Sequence, residues 1–249
     1  MKKLNSLVFA LLASVVSYAQ WTQYNPNPVN NPSHAAEQIL HPGNHALILI
    51  DHESQMAFGV ESQPIEELRN NTGIIAGASK LFNVPTIVTT VAEKSFSGPV
   101  FPEIKEYYPD DTKYIDRTTM NSWEDENFLK AVKATGKKKL VMAGLWTEVC
   151  ITLAALSALE DDYEVYVISD ASGGVSQEAH DMAMTRMIQA GVIPMTSMQY
   201  LLEIYRDWAR SDQYVEVNNL AIKHGGAYGL GIDYIKTMQK WAKEAESDK

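Results

Sequence analysis

Cysteine is nearly absent from this chain: Cys150 is the single one in 249 residues. That excludes an intrachain disulfide, CxxC redox motifs and Cys-rich zinc sites. Positive charge is scarce as well, with 21 Lys and Arg against 31 Asp and Glu and a formal net charge of -10. A nucleic-acid backbone or an anionic membrane surface is therefore not an expected partner. There is no Walker loop and no GxGxxG. Gly225, Gly226, Gly229 and Gly231 cluster, but no strand-like run precedes them, so they do not read as a phosphate cradle. The six histidines, at positions 34, 41, 45, 52, 180 and 224, lack metalloenzyme spacing and read as surface or capping residues. No metal and no other cofactor is expected. Long apolar runs are missing too: the stretch 7–16 is shorter than the ~20 residues a membrane-spanning helix needs.

What is present begins with that short run. Lys2 and Lys3 precede it and Ser17-Tyr18-Ala19 follow it, the layout of a secretory signal peptide over residues 1–19 with a cut before Gln20. The alternative is an uncleaved N-terminal anchor. Removing the two lysines with the leader takes the formal charge from -10 to -12. The expectation is an exported protein, periplasmic or secreted, that does not engage the membrane after cleavage. About 230 residues remain, enough for one domain with a two-sided core. Residues 20–45 carry Pro26, Pro28, Pro32 and Pro42 among Asn and Ser and read as an extended arm.

From Ala46 onward, short apolar runs alternate with segments of helical period. Strands are predicted at 46–50, 84–89, 139–143, 165–168 and 192–195, with a short one at 114–116. Helices are predicted at 65–82, 125–135, 149–159, 177–190 and 199–209. Most of the strand runs are apolar throughout, as parallel strands buried on both faces are. The pattern implies an α/β fold: a doubly wound, mostly parallel sheet with helices on both faces, spanning 46–210. The stretch 95–123, rich in proline and aromatics, breaks the rhythm and reads as one long connection of the kind that walls an active site. Residues 211–249 read as a helical appendage with a helix at 232–245.

In parallel sheets ligands bind outside the carboxyl ends of the strands. Asp51 ends the first strand. Cys150 lies just past the fourth, at the opening of a helix, where backbone N–H groups and the helix dipole favour a thiolate and can hold an oxyanion. Each also has a plainer reading, Asp51 as a helix cap and Cys150 as a small buried apolar residue. For the cation, Arg117 follows a strand-like Tyr114-Ile115-Asp116, with Lys94 as its rival and an ordinary salt bridge to Asp116 or Asp51 as the plainer reading.

The strand ending in Asp51, the segment Gly144-Leu145-Trp146-Thr147-Glu148-Val149-Cys150 and the stretch Asp170-Ala171-Ser172 together resemble the isochorismatase-like cysteine hydrolases, over roughly 46–209. The G-x-x-T-x-x-C run after an apolar strand is the most specific element. Phe82-Asn83-Val84-Pro85-Thr86, Gly98-Pro99, Lys133-Ala134-Thr135-Gly136-Lys137 and Arg206-Asp207-Trp208 look most like the YcaC-type branch of that family. The resemblance implies a catalytic trio of carboxylate, cation and cysteine, which maps onto Asp51, Arg117 and Cys150. It also implies a non-proline cis peptide mapping to Trp146-Thr147, with Trp146, Thr147 and Val149 around the oxyanion. Nicotinamidase-type relatives carry a metal-binding Asp and His pair, whereas 64–71 here offers no His. Glu53 stands where many relatives have Gln. Together with Phe58 and Trp123 it is a candidate for the substrate pocket.

These readings converge on a cysteine hydrolase acting on a small amide or other small carbonyl compound through a thioester, and on a homo-oligomer. Two alternatives stay open: hydrolysis of an ester or an isochorismate-like vinyl ether, and a non-catalytic binding protein retaining the fold. N-terminal sequencing of the exported protein is expected to start at Gln20, and a start at Met1 would contradict the leader.

Overall fold

The computed structural model describes residues 35–109 and 112–247. The leader, most of the arm, and His34 lie outside the described residues.

The sheet is built from β1 (His45–Ile50), β2 (Thr86–Val91), β3 (Ile115–Arg117), β4 (Lys139–Gly144), β5 (Glu164–Ile168) and β6 (Ile193–Met195). Its order is β3-β2-β1-β4-β5-β6, every pairing is parallel, and the architecture is the doubly wound α/β sheet expected from the sequence. β1 shows why its run is apolar throughout. Leu47 and Leu49, with Val141 and Ala143 of β4, enter one buried cluster, while Ala46, Ile48 and Ile50, with Leu140 and Met142, enter the other. Both faces are covered, so neither parity of the strand can be polar.

The first cluster is completed by α1 (Ile65–Leu81), α2 (Pro102–Lys105), α6 (Ser197–Tyr205) and α7 (Tyr214–His224), and the second by α3 (Glu126–Ala134), α4 (Thr152–Glu160) and α5 (Gln177–Ala190). Local chemistry sets their ends. Asp125 caps α3 by accepting from the N–H groups of Asn127 and Phe128, and Ser176 caps α5 through the N–H of Ala179. Gly191 closes α5 in the left-handed region at φ 111°, where a side chain would be strained.

Three expectations need revision. The stretch 95–123 is not one irregular connection, because it contains α2 as well as the short strand expected at 114–116, found as β3 at Ile115–Arg117. Tyr108 pins it to the body through Ser79 and the Oγ1 of Thr86. The helix expected at 199–209 starts earlier and stops at Tyr205, because Arg206 turns left-handed at φ 61° and donates to the Leu40 carbonyl at 2.7 Å. The region after 210 holds a helix that the periodicity does not predict, and it packs on the domain: Val217 and Leu220 of α7 belong to the cluster built on α1. Room for them comes from Gly73 and Gly77, where a Cβ would stand 2.7 Å from the His224 ring and 2.5 Å from Leu220. Only the final helix, α8 (Gly226–Ser247), leaves its length uncovered, with Leu230, Tyr234, Ile235, Met238 and Trp241 exposed.

The strand order reverses direction between β1 and β4, which opens a crevice at their carboxyl ends. Gly144, the last residue of β4, lies opposite Ile50, and a Cβ there would meet the Ile50 carbonyl oxygen at 1.9 Å. Gly144→Ala must push the two central strands apart just below that crevice. It is expected to destabilise the fold by about 2–3 kcal/mol or more, read as a lowered urea midpoint at unchanged slope.

Candidate active site

Asp51 is the first residue beyond β1 and adopts φ 56°, a left-handed conformation that short polar residues tolerate better than most. Its N–H reaches the Thr89 carbonyl and its own carbonyl accepts from Glu53, so the turn is fixed on both sides. From β3, Arg117 donates to Asp51 Oδ2 at 2.6 Å, and both side chains are fully shielded from solvent. Arg117 is itself held by the Thr119 carbonyl. Lys94, the rival cation, is exposed on the turn after β2. The structure thus places the guanidinium, not the ammonium, on the carboxylate.

Cys150 arrives from the other side of the crevice. After β4 the chain passes Leu145, which bonds the Ile50 carbonyl at 3.0 Å, and enters a helical turn at Thr147–Ile151 that runs into α4. The cis peptide is Leu145-Trp146, one bond earlier than the resemblance implies. Trp146 is the extended residue before the turn, and the helical backbone starts only at Thr147. Cys150 is 3% exposed, and its thiol stands close enough to the Asp51 carboxyl for each to shift the other's ionisation.

The electrostatics follow from this closure. Burial pushes Asp51 up to about 6, opposed chiefly by the charge of Arg117, and also by the nearby Cys150 thiol and the Arg117 hydrogen bond. Burial, then the Asp51 charge, drives the Cys150 thiol far above its ordinary range, while Arg117 and the backbone of Trp146 pull the other way. At neutral pH the pair is therefore a carboxylate facing a thiol. A proton can pass between them only as the sulfur finds an electrophile.

The other expected site residues are distributed differently. The N–H of Thr147 is taken by the Gly173 carbonyl at 2.9 Å and that of Val149 by Trp146 at 3.0 Å, so neither is free to hold an oxyanion. The bridge between Leu145 and Gly173 and the closing of the first helical turn use them up. Trp146 is half-buried, with its indole N–H on the Met56 carbonyl. Phe58 is 89% exposed, on the outside of the turn at Met56–Gly59. Trp123 packs against Phe128 and Tyr163 and donates to Asp161, which makes it a core residue. Glu53 is fully buried.

Sequence reasoning also misjudged the histidines, since His45, His52, His180 and His224 are buried. His180 links Thr147 Oγ1 at 2.8 Å to Ser169 Oγ, bracing the turn that carries Cys150. His52 sits on the Ala171 carbonyl, and burial drops it to about 4, so it is neutral. Asp170 accepts from the N–H and hydroxyl of Ser197, which makes Asp170-Ala171-Ser172 a brace.

Buried polar atoms without a partner among the described residues include Asp51 Oδ1, His52 Nδ1, Glu53 Oε1 and Arg117 Nε, all at the ends of β1 and β3. Native interiors rarely leave such atoms unpaired, so their concentration marks a place shaped for a ligand. A cavity of about 620 Å³ beside His41, Lys139 and Arg206 lies at the amino ends of the strands and contains none of these groups. Among the described residues no three His, Cys, Asp or Glu side chains converge as metal ligands.

A doubly wound parallel sheet with a thiol, a carboxylate and a guanidinium buried at its switch point defines the class of architecture: an α/β protein with its polar side chains gathered at the carboxyl ends of the central strands. Residues 45–199 match the model of the isochorismatase domain, and the chain belongs to the isochorismatase family, in its YcaC-type branch. It is 42% identical over 164 residues to the probable hydrolase YcaC of Escherichia coli, covering 66% of this chain and 78% of that one. The crystal structure of that organism's YcaC gene product, described as an octameric hydrolase of unknown specificity, superposes with a TM-score of 0.76 at 36% identity, over 82% of this chain and 99% of the other. YcaC from Pseudomonas aeruginosa, described with hexane-2,5-diol and covalent acrylamide, gives 0.75 at 35% identity, over 81% and 99%. The chain is accordingly an isochorismatase-family hydrolase.

Removing Arg117 should expose its role. Arg117→Ala leaves Asp51 buried without its cation, at a cost of about 3–5 kcal/mol in stability, and lets the carboxyl rise above its present value of about 6. The base is then ionised only at higher pH, so the acid limb of Cys150 alkylation by acrylamide should move upward, with Arg117→Lys moving less. Alkylation rates against pH, read by intact mass, check this. An unmoved limb in Arg117→Ala, with a collapse in Lys94→Ala, would transfer the role to Lys94.

Proposed function

We propose that this chain is an exported cysteine hydrolase that cleaves a small amide, or another small carbonyl compound, through a thioester on Cys150. The observation that carries the reading is the Asp51 carboxyl, paired with Arg117 through Oδ2 and electrostatically coupled to the Cys150 thiol, at the crevice between β1 and β4. A carboxyl at about 6 is a better proton acceptor than an ordinary aspartate and still gives the proton back near neutrality. The small amide held covalently in the Pseudomonas aeruginosa relative supports a reactive group and a site of that size in this fold.

In the first half-reaction the Cys150 S–H proton passes to Asp51 as sulfur adds to the carbonyl carbon, and the oxyanion forms near the positive end of the helical segment leading into α4. The C–N bond then breaks, and the proton on Asp51 leaves with the amine. In the second, water adds to the thioester, its proton goes to Asp51, and the acid departs as sulfur recovers the proton. Arg117 stays charged throughout and acts only by orienting and stabilising Asp51. Esters fit the same steps with an alcohol as leaving group. A non-catalytic binding role draws on one observation, the near-complete burial of Cys150.

Residues 1–19 supply the export in this reading. Homo-oligomerisation is also part of it. The Escherichia coli relative is octameric, and α8 carries Leu230, Tyr234, Met238 and Trp241 along one uncovered side, a surface suited to another copy of the chain. Incubation with a panel of small amides and esters, followed by intact-mass detection, is expected to show an acyl adduct that is absent in Cys150→Ala. Cys150→Ser with wild-type turnover on a confirmed substrate would contradict the mechanism.

A further inference from the structure

Asp51 shares its end of β1 with a second buried carboxyl. Glu53 is fully shielded. Its Oε2 accepts from the Val91 N–H at 2.9 Å, and its Oε1 has no partner among the described residues. Backbone contacts pin it there: its N–H reaches the Asp51 carbonyl at 2.7 Å, and it forms an isolated antiparallel bridge with Val100. The steps given above leave this group without a role.

The charges around it come from four elements. Its own segment supplies Asp51 and the neutral His52. The turn after β2 supplies Glu93 and the exposed Lys94. β3 supplies Asp116, which accepts from Thr90 Oγ1 and the Glu93 N–H, and Arg117, which is committed to Asp51. The turn after β4 brings the Cys150 thiol. Asp51 and Glu53 are thus two buried carboxyls on one segment, and the buried cation nearby, Arg117, is paired with Asp51 alone. If both were ionised, an uncompensated negative charge would sit in an interior that disfavours it, and a group so placed keeps its proton instead. Geometry decides which one: Asp51 has the guanidinium, whereas Glu53 has a single backbone N–H.

We propose that Glu53 is a positioning residue that holds the one proton of this carboxyl pair, so that the cluster of Asp51, Glu53 and Arg117 is neutral and Asp51 remains the ionised base for Cys150. Burial pushes the Glu53 carboxyl up to about 8, with the charges of Asp51, Asp116 and Glu93 adding to it and the Val91 N–H opposing. Above that pH Glu53 ionises and adds a second negative charge beside Asp51, whose own charge already opposes a Cys150 thiolate. Forming a thiolate there becomes harder, so the reactivity that ordinarily rises with pH should stall.

The effect on reactivity rests on the cysteine-hydrolase reading, but the protonation of Glu53 does not, and it leaves its own mark on stability. Between its unfolded value of 4.5 and its folded value of about 8, the folded chain holds a proton that the unfolded chain has released. Stability contributed by that proton is complete below the unfolded value and is lost as pH rises through the window. Glu53→Gln cannot ionise and should lack this loss. Thermal melts of wild type and Glu53→Gln from about pH 5 to about pH 9 should diverge, with the variant gaining on wild type as pH rises. Parallel curves would overturn the proposal whether or not Cys150 is a nucleophile. Acrylamide alkylation of Cys150 supplies the second measurement. Wild type should break near pH 8, and the ratio of variant to wild-type rate should rise about tenfold from pH 7 to pH 9. A wild-type rate that climbs through this range without a break would overturn it equally, even if the variant failed to fold.

Discussion

Everything at the switch point depends on one buried ion pair, Arg117 on Asp51. A carboxylate at the end of a strand whose both faces are covered has lost its water, and without a cation it would stay protonated and useless as a base. The guanidinium offsets most of that penalty but not all of it. Asp51 rests at about 6 instead of its ordinary 3.8, so burial outweighs the ion pair by roughly 3 kcal/mol. The carboxyl is thereby ionised at neutral pH yet close to taking a proton. A stronger pair would make it too weak a base, and no pair would leave it a neutral acid. The same closure raises the Cys150 thiol, so the cysteine keeps its proton at neutral pH.

The fold delivers these groups with little freedom. Asp51 and Cys150 leave neighbouring parallel strands whose register pairs Ile50 with Gly144, and the missing side chain at Gly144 allows the close approach. Arg117 comes from the three-residue edge strand β3, where it pairs with Val91. Standing two strands from β1 and three from the strand that leads to Cys150, it reaches across β2 to the end of β1 through a long side chain. Braces then fix the loops: His180 under Thr147, His52 on Ala171, and Trp146 on Met56.

Much of this was legible in the sequence, and the failures have physical reasons. The apolar runs gave the sheet because parallel strands buried on both faces leave no polar positions. The G-x-x-T-x-x-C run located the turn that carries Cys150. The choice between Arg117 and Lys94 was not legible, since both follow short strand-like runs and only the pairing of β3 with β2 decides which side chain turns inward. Glu53 was legible only as a pocket candidate through the resemblance, because its full burial depends on a bridge to Val100, far along the chain. The core role of α7 had a faint signal that went unused: Gly73 and Gly77, one turn apart in α1, are the groove that His224 and Leu220 fill. The N–H groups of Thr147 and Val149 were assigned to an oxyanion because a helix start leaves such groups unpaired, and the contact with Gly173 that occupies one of them is tertiary.

The measurement that bears most directly on this account is the protonation of Asp51 itself. Carboxyl-region infrared difference spectra between the wild-type protein and Asp51→Asn, or carbon NMR of labelled aspartate, follow that one group through a pH titration. The account predicts an apparent value near 6, with the carboxylate band present at neutral pH. Titration near the ordinary aspartate value of about 3.9, or a carboxyl still protonated at neutral pH, would contradict it.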